Sequence, residues 1–269
     1  MNITCKNCNH IYKGHFCNNC GQTAQTHKLN FHFLWHEIQH GLFHFDQGIF
    51  YSAKQLFTRP GNTIREFVEG KRIRHFKPIS MVIVLATLYG LLYHYYHISF
   101  ADPSPESSAK VGIDTVKFNE WMGTHYAWAT LLTIPIYTIG TSIAFRKQGY
   151  NLVEYFILNT FKASQKLFLH IALFPLLYYF NGTPKMKILS IVIYSIDVVF
   201  IYWTNSQFFN KLSLKKSLLL TLLSQLIFLS CLVSVILLID LIMNMQMEGI
   251  NIHSKATSRK MKSPGIAVL

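Results

Sequence analysis

At 269 residues, with 51% hydrophobic residues and a mean hydropathy of +0.25, the chain is too apolar for a string of ordinary soluble domains and reads as a membrane protein that spends its length on spans. Its formal charge of +13, from 25 Lys and Arg against 12 Asp and Glu, is then first a matter of cytoplasmic loop bias, ahead of anionic lipid and of nucleic acid. Residues 1–30 hold a Cys-rich polar module where a cleavable signal would need an apolar core, so the N-terminus is expected in a reducing cytoplasm.

That module, residues 1–25, contains Cys5-Lys-Asn-Cys8 and Cys17-Asn-Asn-Cys20. Each pair clamps a metal from a tight turn while the loop between them closes the hairpin, so Cys5, Cys8, Cys17 and Cys20 are read as a tetrahedral site for one structural Zn2+. Gly21 follows the second pair with the permissive backbone such knuckles use, and Asn9 after the first pair tolerates the same left-handed conformation. A redox dithiol and a disulfide pair are the competing readings, and both lack a thioredoxin-like unit or a secreted scaffold around the cysteines. Only Lys6 and Lys13 supply charge here and no base-reading helix follows, which argues against nucleic acid. Cys231 lies in an apolar run and reads as an inert packed residue.

From Leu29 to Thr58, Phe31, Leu34, Trp35, Ile38, Leu42, Phe45 and Ile49 recur at helical spacing, with His32, His36, His40 and His44 along the neighbouring face. This pattern predicts an amphipathic helix on the membrane surface, weakened at Gly41 and Gly48. Arg59-Pro60-Gly61 ends it. A second short amphipathic piece, Asn62 to Glu69, leads into Gly70-Lys71-Arg72-Ile73-Arg74-His75-Phe76-Lys77-Pro78. Residues 29–78 thus form a membrane-entry segment, and Arg59, Arg65, Lys71, Arg72, Arg74 and Lys77 are candidates for binding anionic headgroups, each charge contributing about 1 kcal/mol near such a surface. A plain topogenic anchor accounts for the same charges.

The transmembrane domain is expected over 79–245. Ile79 to His97 is a span with Tyr93, Tyr95 and Tyr96 at interface depth, Ser99 to Gly123 is a polar external loop, and Tyr126 to Phe145 returns to Arg146-Lys147. Leu152 to Phe180 is ambiguous, because Glu154, Lys162 and Lys166 occupy its first half and Leu167 to Phe180 alone falls short of a bilayer. It is either one tilted helix with snorkelling lysines or an interfacial helix followed by a re-entrant segment. Ile188 to Thr204 and Ser217 to Met243 are clearer spans, and residues 246–269 are expected to be a disordered basic tail. The fold class is therefore an all-α helical integral membrane protein of about five transmembrane helices. Positive-inside counting favours four, and the length and apolarity of the third region favour five.

Phe43-His44-Phe45-Asp46-Gln47-Gly48, Leu56-Phe57-Thr58-Arg59-Pro60-Gly61, Ile64-Arg65-Glu66, Glu69-Gly70-Lys71-Arg72 and His75-Phe76-Lys77-Pro78, following the two Cys pairs, form an ordered series. In that order the motifs resemble a bacterial family of uncharacterised membrane proteins, common in Bacteroidota, catalogued as domain of unknown function 3667. The resemblance covers about the first ninety residues, with Asn9 standing where the family usually has Gly. It implies an inner-membrane location and an N-terminal zinc ribbon and brings no established activity.

Several polar groups remain. The histidine series offers i, i+4 imidazoles for a second metal, but His94, His97, His125 and His170 look isolated from it, and an interfacial polar face is the better reading. His44 and Asp46, beside Gly48, are placed to cap a turn or orient one another. Asp197 lies mid-span and Gln225 and Asp240 lie in the last span, and an intramembrane carboxylate points either to an ion pathway or to a buried hydrogen bond. No phosphate loop, nucleophile elbow or paired-carboxylate site is apparent. The functional expectation is a non-catalytic scaffold, assembly or regulatory factor contacting a protein partner through its ribbon. The alternative is a transporter or lipid-handling protein using Asp197 and the basic cluster. A third reading is a membrane enzyme built on the histidines. Oligomeric state is not legible.

Overall fold

A computed structural model describes residues 2–24, 26, 29–35, 48–98 and 115–261, with only the helical path for 115–119, 122, 237 and 239–261. His36, His40, His44 and Asp46 lie outside the described residues, as does the side chain of Asp240. The N-terminal module is a hairpin of β1 (Ile3–Thr4) and β2 (Ile11–Tyr12), paired antiparallel with Ile3 opposite Tyr12. Its small core is Cys5, Tyr12 and Cys17 with Ile3, Cys8, Cys20 and Ala24 packed around them.

The helices are α1 (Gly48–Thr58), α2 (Pro60–Glu69), α3 (Pro78–Tyr95), α4 (Thr115–Ala144), α5 (Leu152–Ala172), α6 (Phe174–Phe180), α7 (Lys185–Phe208) and α8 (Leu214–Met261). Pro60 and Pro78 start α2 and α3, where a missing N–H and a fixed φ are harmless. Gly70 ends α2 at φ 115°, its N–H and that of Lys71 donating to the carbonyls of Phe67 and Glu66. Asn151 and Glu154 form a reciprocal capping box at the start of α5.

Among the described residues, four helices are long and apolar enough to cross a membrane: Pro78–Tyr95, Gly123–Ala144, Lys185–Phe208 and Leu214–Ile236. Their outer faces carry Leu91, Leu132, Ile188, Val199, Leu219 and Leu226, each 63% or more exposed, an apolar surface of the kind a lipid bilayer covers. The ambiguous third region divides at Leu173, where Pro175 opens α6. Its first part, α5, is 21 residues or about 31 Å long. It is not apolar enough to count with the other four, yet it runs the length of the bundle inside them.

Side-chain contacts fix the directions. Tyr89 and Tyr93 near the end of α3 meet Tyr126 near the start of α4, with centroids 4.8 and 5.9 Å apart. Helix α4 then returns, and Tyr137 stacks on Phe228 of α8 at 3.6 Å. Helix α5 runs beside α3: at one end Tyr155 donates to the Phe145 carbonyl, and at the other His170 and Phe174 pack on Tyr89 while Asn181 beyond α6 donates to the His97 carbonyl. Helix α7 comes back past it and α8 leaves again, with Asn205 donating to Thr221. Five helices therefore alternate in direction, four of them apolar enough to span a membrane and the remaining one, α5, polar.

Two further expectations meet the structure. The second half of the Leu29–Thr58 segment is α1, which lies on the bundle through buried Ser52 and Leu56. Ser52 accepts from the Phe76 N–H at 2.9 Å, and the Leu56 carbonyl accepts from Gln165 at 2.7 Å. Helix α8 continues to Met261, through much of the segment expected as a disordered tail, since no proline interrupts it before Pro264.

Candidate functional site

The two knuckles of the ribbon are copies of one another. The Cys5 N–H donates to the His10 carbonyl and that of Asn9 to Cys5, just as Cys17 donates to Gln22 and Gly21 to Cys17. Asn9 and Gly21 both take the left-handed conformation, at φ 59° and 75°. The four thiols are unbridged, and their sulfurs all lie within 4.8 Å of one another. Cys5 and Cys20 are 3.6 Å apart, as are Cys8 and Cys17, close to the edge of about 3.8 Å expected of a tetrahedron with metal–sulfur bonds of about 2.3 Å. The backbone N–H of His10 pulls the Cys8 thiol down to about 6, and burial pushes Cys5 up to about 11, so a thiolate is already available to start coordination. The set can hold one metal ion.

The ribbon does not stand clear of the rest. Gln22, 3% exposed, donates to the Gly70 carbonyl at 2.9 Å and accepts from the Arg72 N–H at 3.3 Å, and Lys6 donates to the Thr26 carbonyl beside Gly70. Arg72 lies over Phe33 and Phe67 at 4.9 and 5.5 Å. The basic cluster is thereby divided. Arg59 and Lys71 flank Glu66 at 3.2 and 3.6 Å, and Arg65 donates to the Gln207 and Phe208 carbonyls at the end of α7. Arg74 and Lys77 are exposed beside exposed Ile73. Gly61 is where α2 touches α7: an added Cβ would collide with the Thr204 carbonyl and the Phe208 nitrogen.

Within the bundle, a cavity of about 240 Å³ opens between α4, α5, α7 and α8, lined by Tyr126, Tyr137, Lys162, Lys166, Tyr194 and Asp197 among others. Asp197 is 5% exposed and does not sit on a serine or tyrosine hydroxyl. Its carboxylate receives His170 Nε2 at 3.0 Å and Lys166 Nζ at 3.4 Å. Lys162, 8% exposed, donates to the Asn205 amide oxygen at 3.4 Å. Gln165 links the cavity wall to α1 through the Leu56 carbonyl and accepts from Thr204 at 3.1 Å.

Asp197 was visible in the sequence; Lys162, Lys166 and His170 were read as snorkelling or isolated. Their spacing of four residues is the signal that finds them, because it stacks them on one face of α5. Of the histidine series, His32 is described and exposed within the helical residues 31–35. His94 packs near His97, and His125 stacks on Trp121. Among the described residues, no histidine joins a metal-ligand group.

No curated protein and no solved structure matches the chain. Residues 46–90, which carry Gly61, the Arg59–Glu66–Lys71 cluster, Arg65 and the Gly70 cap, match the model of the family described as Protein of unknown function (DUF3667), the same family that the order of motifs resembles.

Proposed function

We propose that this is a multi-pass protein of the bacterial inner membrane, N-terminus cytoplasmic, that binds a small solute in the chamber beside Asp197, as a transporter or solute-binding protein does. What carries this reading is the chamber itself: it lies at the middle of α5 and α7 and is lined by a buried carboxylate, Asp197, facing His170 and the half-exposed Lys166, which a purely structural bundle has no need to place there. Orientation follows from charge, since Arg59, Arg65, Lys71, Arg146, Lys147, Lys211, Lys215 and Lys216 gather at the end where α3, α5 and α8 begin. We assign zinc to the four thiols from their donor chemistry and spacing, with the role of fixing a ribbon too small to fold on its own core. Arg74 and Lys77 then meet anionic headgroups at the cytoplasmic face.

The test is aqueous access. With Cys231 replaced by Ser and labelling read by peptide mapping, apart from the four ribbon thiols, Thr133→Cys on the chamber wall is expected to react with a small charged thiol reagent in membranes, while Leu132→Cys on the lipid face, 66% exposed in the bare protein, stays unreactive. An unreactive Thr133→Cys would sink the chamber as a binding site. A second reading keeps the ribbon as a protein-contact module and is favoured by Ile11 and Phe16, 62% and 63% exposed on its surface. Cross-linking from these two positions in cells separates it, because a solitary product denies a partner.

A further inference from the structure

We propose that the solute taken by this chamber is a small organic carboxylate, held by the Lys162 ammonium. The inference rests on the chamber being a binding site and adds the charge and size of its ligand. Three cation-capable side chains, Lys162, Lys166 and His170, rise on successive turns of α5, and among the described residues Asp197 is the one carboxylate lining the cavity. That carboxylate is already engaged by His170 at 3.0 Å and Lys166 at 3.4 Å. Lys162 is left with a neutral amide oxygen at 3.4 Å, and the nitrogen of the same Asn205 amide is committed to Thr221 at 3.1 Å. A lysine with so little exposure and no counter-charge holds its proton best when an anion lies beside it, which makes it a site for an anion and a poor one for a cation.

The remaining walls describe the body of the ligand. Ile134, Tyr137, Val198, Phe200 and Ile201 surround the polar patch with apolar and aromatic surface, which inorganic phosphate would leave unfilled. A cavity of about 240 Å³ has room for a single ring. The occupant is thus a carboxylate on a compact hydrophobic body, approached from either the aqueous or the lipid side.

Equilibrium binding of labelled benzoate to the full-length protein in nanodiscs tests this. Saturable binding is expected, competed by unlabelled benzoate, not competed by the neutral isostere benzamide, and only weakly by inorganic phosphate. Lys162→Met is expected to weaken it at least tenfold and Lys162→Arg to restore most of it. Binding that Lys162→Met leaves unchanged, or that benzamide competes equally, overturns the anion assignment. Should Lys162→Met not fold, protection of Thr133→Cys from the thiol reagent by benzoate, with Lys162 intact, decides in its place. A chamber cysteine that reacts but is never protected defeats the carboxylate and spares the chamber; one that never reacts defeats both.

Discussion

The ribbon and the bundle are held together by opposite means. The ribbon encloses three buried hydrophobic residues, two of them cysteines, a core too small to hold a fold alone, and its four thiols are placed where a metal ion could supply the rest. The bundle has apolar surface in excess and turns it outward. Helix α8 puts Leu219, Leu222, Leu223 and Leu226 on its exposed surface, whereas α5 buries Asn159, Thr160, Lys162, Ser164 and Gln165. In a soluble protein the more apolar helix would be the inner one. Here lipid solvates side chains and leaves polar groups to find one another inside, so hydropathy reports contact with lipid rather than depth in the fold.

The largest test of that contrast removes the metal. Replacing Cys5 and Cys8 by Ser is expected to take metal content from about one zinc per chain to none and to make residues 1–26 protease-sensitive, with helical circular dichroism retained. Structural zinc contributes about 10 kcal/mol or more to such modules. Loss of helix along with zinc would break the division between the two regions.

Inside the bundle, Asp197→Leu leaves the buried His170 without its partner, the half-exposed Lys166 being free to turn away, and is expected to lower stability by about 1.5–3 kcal/mol in detergent melts. The matched change on the lipid face, Leu226→Ala, is expected to cost under about 1 kcal/mol. Equal effects would erase the inside-out reading. Gly61→Ala is expected next, at about 1–3 kcal/mol, because the new methyl meets backbone of α7 that cannot step aside. At the boundary between the regions, Gln22→Ala removes two hydrogen bonds and is expected to cost about 1–2 kcal/mol, read as faster cleavage between ribbon and bundle with zinc content unchanged.

The smallest expected effect is a pH dependence at His75, which precedes α3. Burial against Tyr51 and Phe67 holds its imidazole down to about 4, with Glu66 opposing and Arg59 reinforcing that shift, and its Nδ1 has no hydrogen-bond partner. The unfolded chain takes up a proton near its ordinary value of 6.5 and the folded chain does not. Stability is therefore full above pH 6.5 and declines as pH falls from there toward 4, by on the order of 1 kcal/mol over the first pH unit. His75→Phe is expected to flatten that part of the profile.

What the sequence reveals depends on how local each feature is. The cysteine pairs, Asn9 and Gly21 act within a few residues of themselves and could be read directly. Arg65 and Gly61 stood out as a motif, but their task lies in the carbonyls of Thr204, Gln207 and Phe208, which no local pattern connects to them. Lys162, Lys166 and His170 share a helix face by spacing alone, yet that spacing fits snorkelling equally well until Asp197 is seen opposite. Likewise the polar content of α5 sets it apart from the apolar helices, and being enclosed by them is what permits that content.

The contact at Gly61 has a mechanical consequence. Helix α2 bears on the backbone of α7 at Thr204 and Phe208, with Arg65 latched to the carbonyls at its end, and α7 carries Asp197 about two turns away. The opposite end of α2 is the Gly70 carbonyl to which Gln22 of the ribbon is fastened. Through its two ends α2 thus joins the four-cysteine module to the helix that carries Asp197, a single short strut between the two regions.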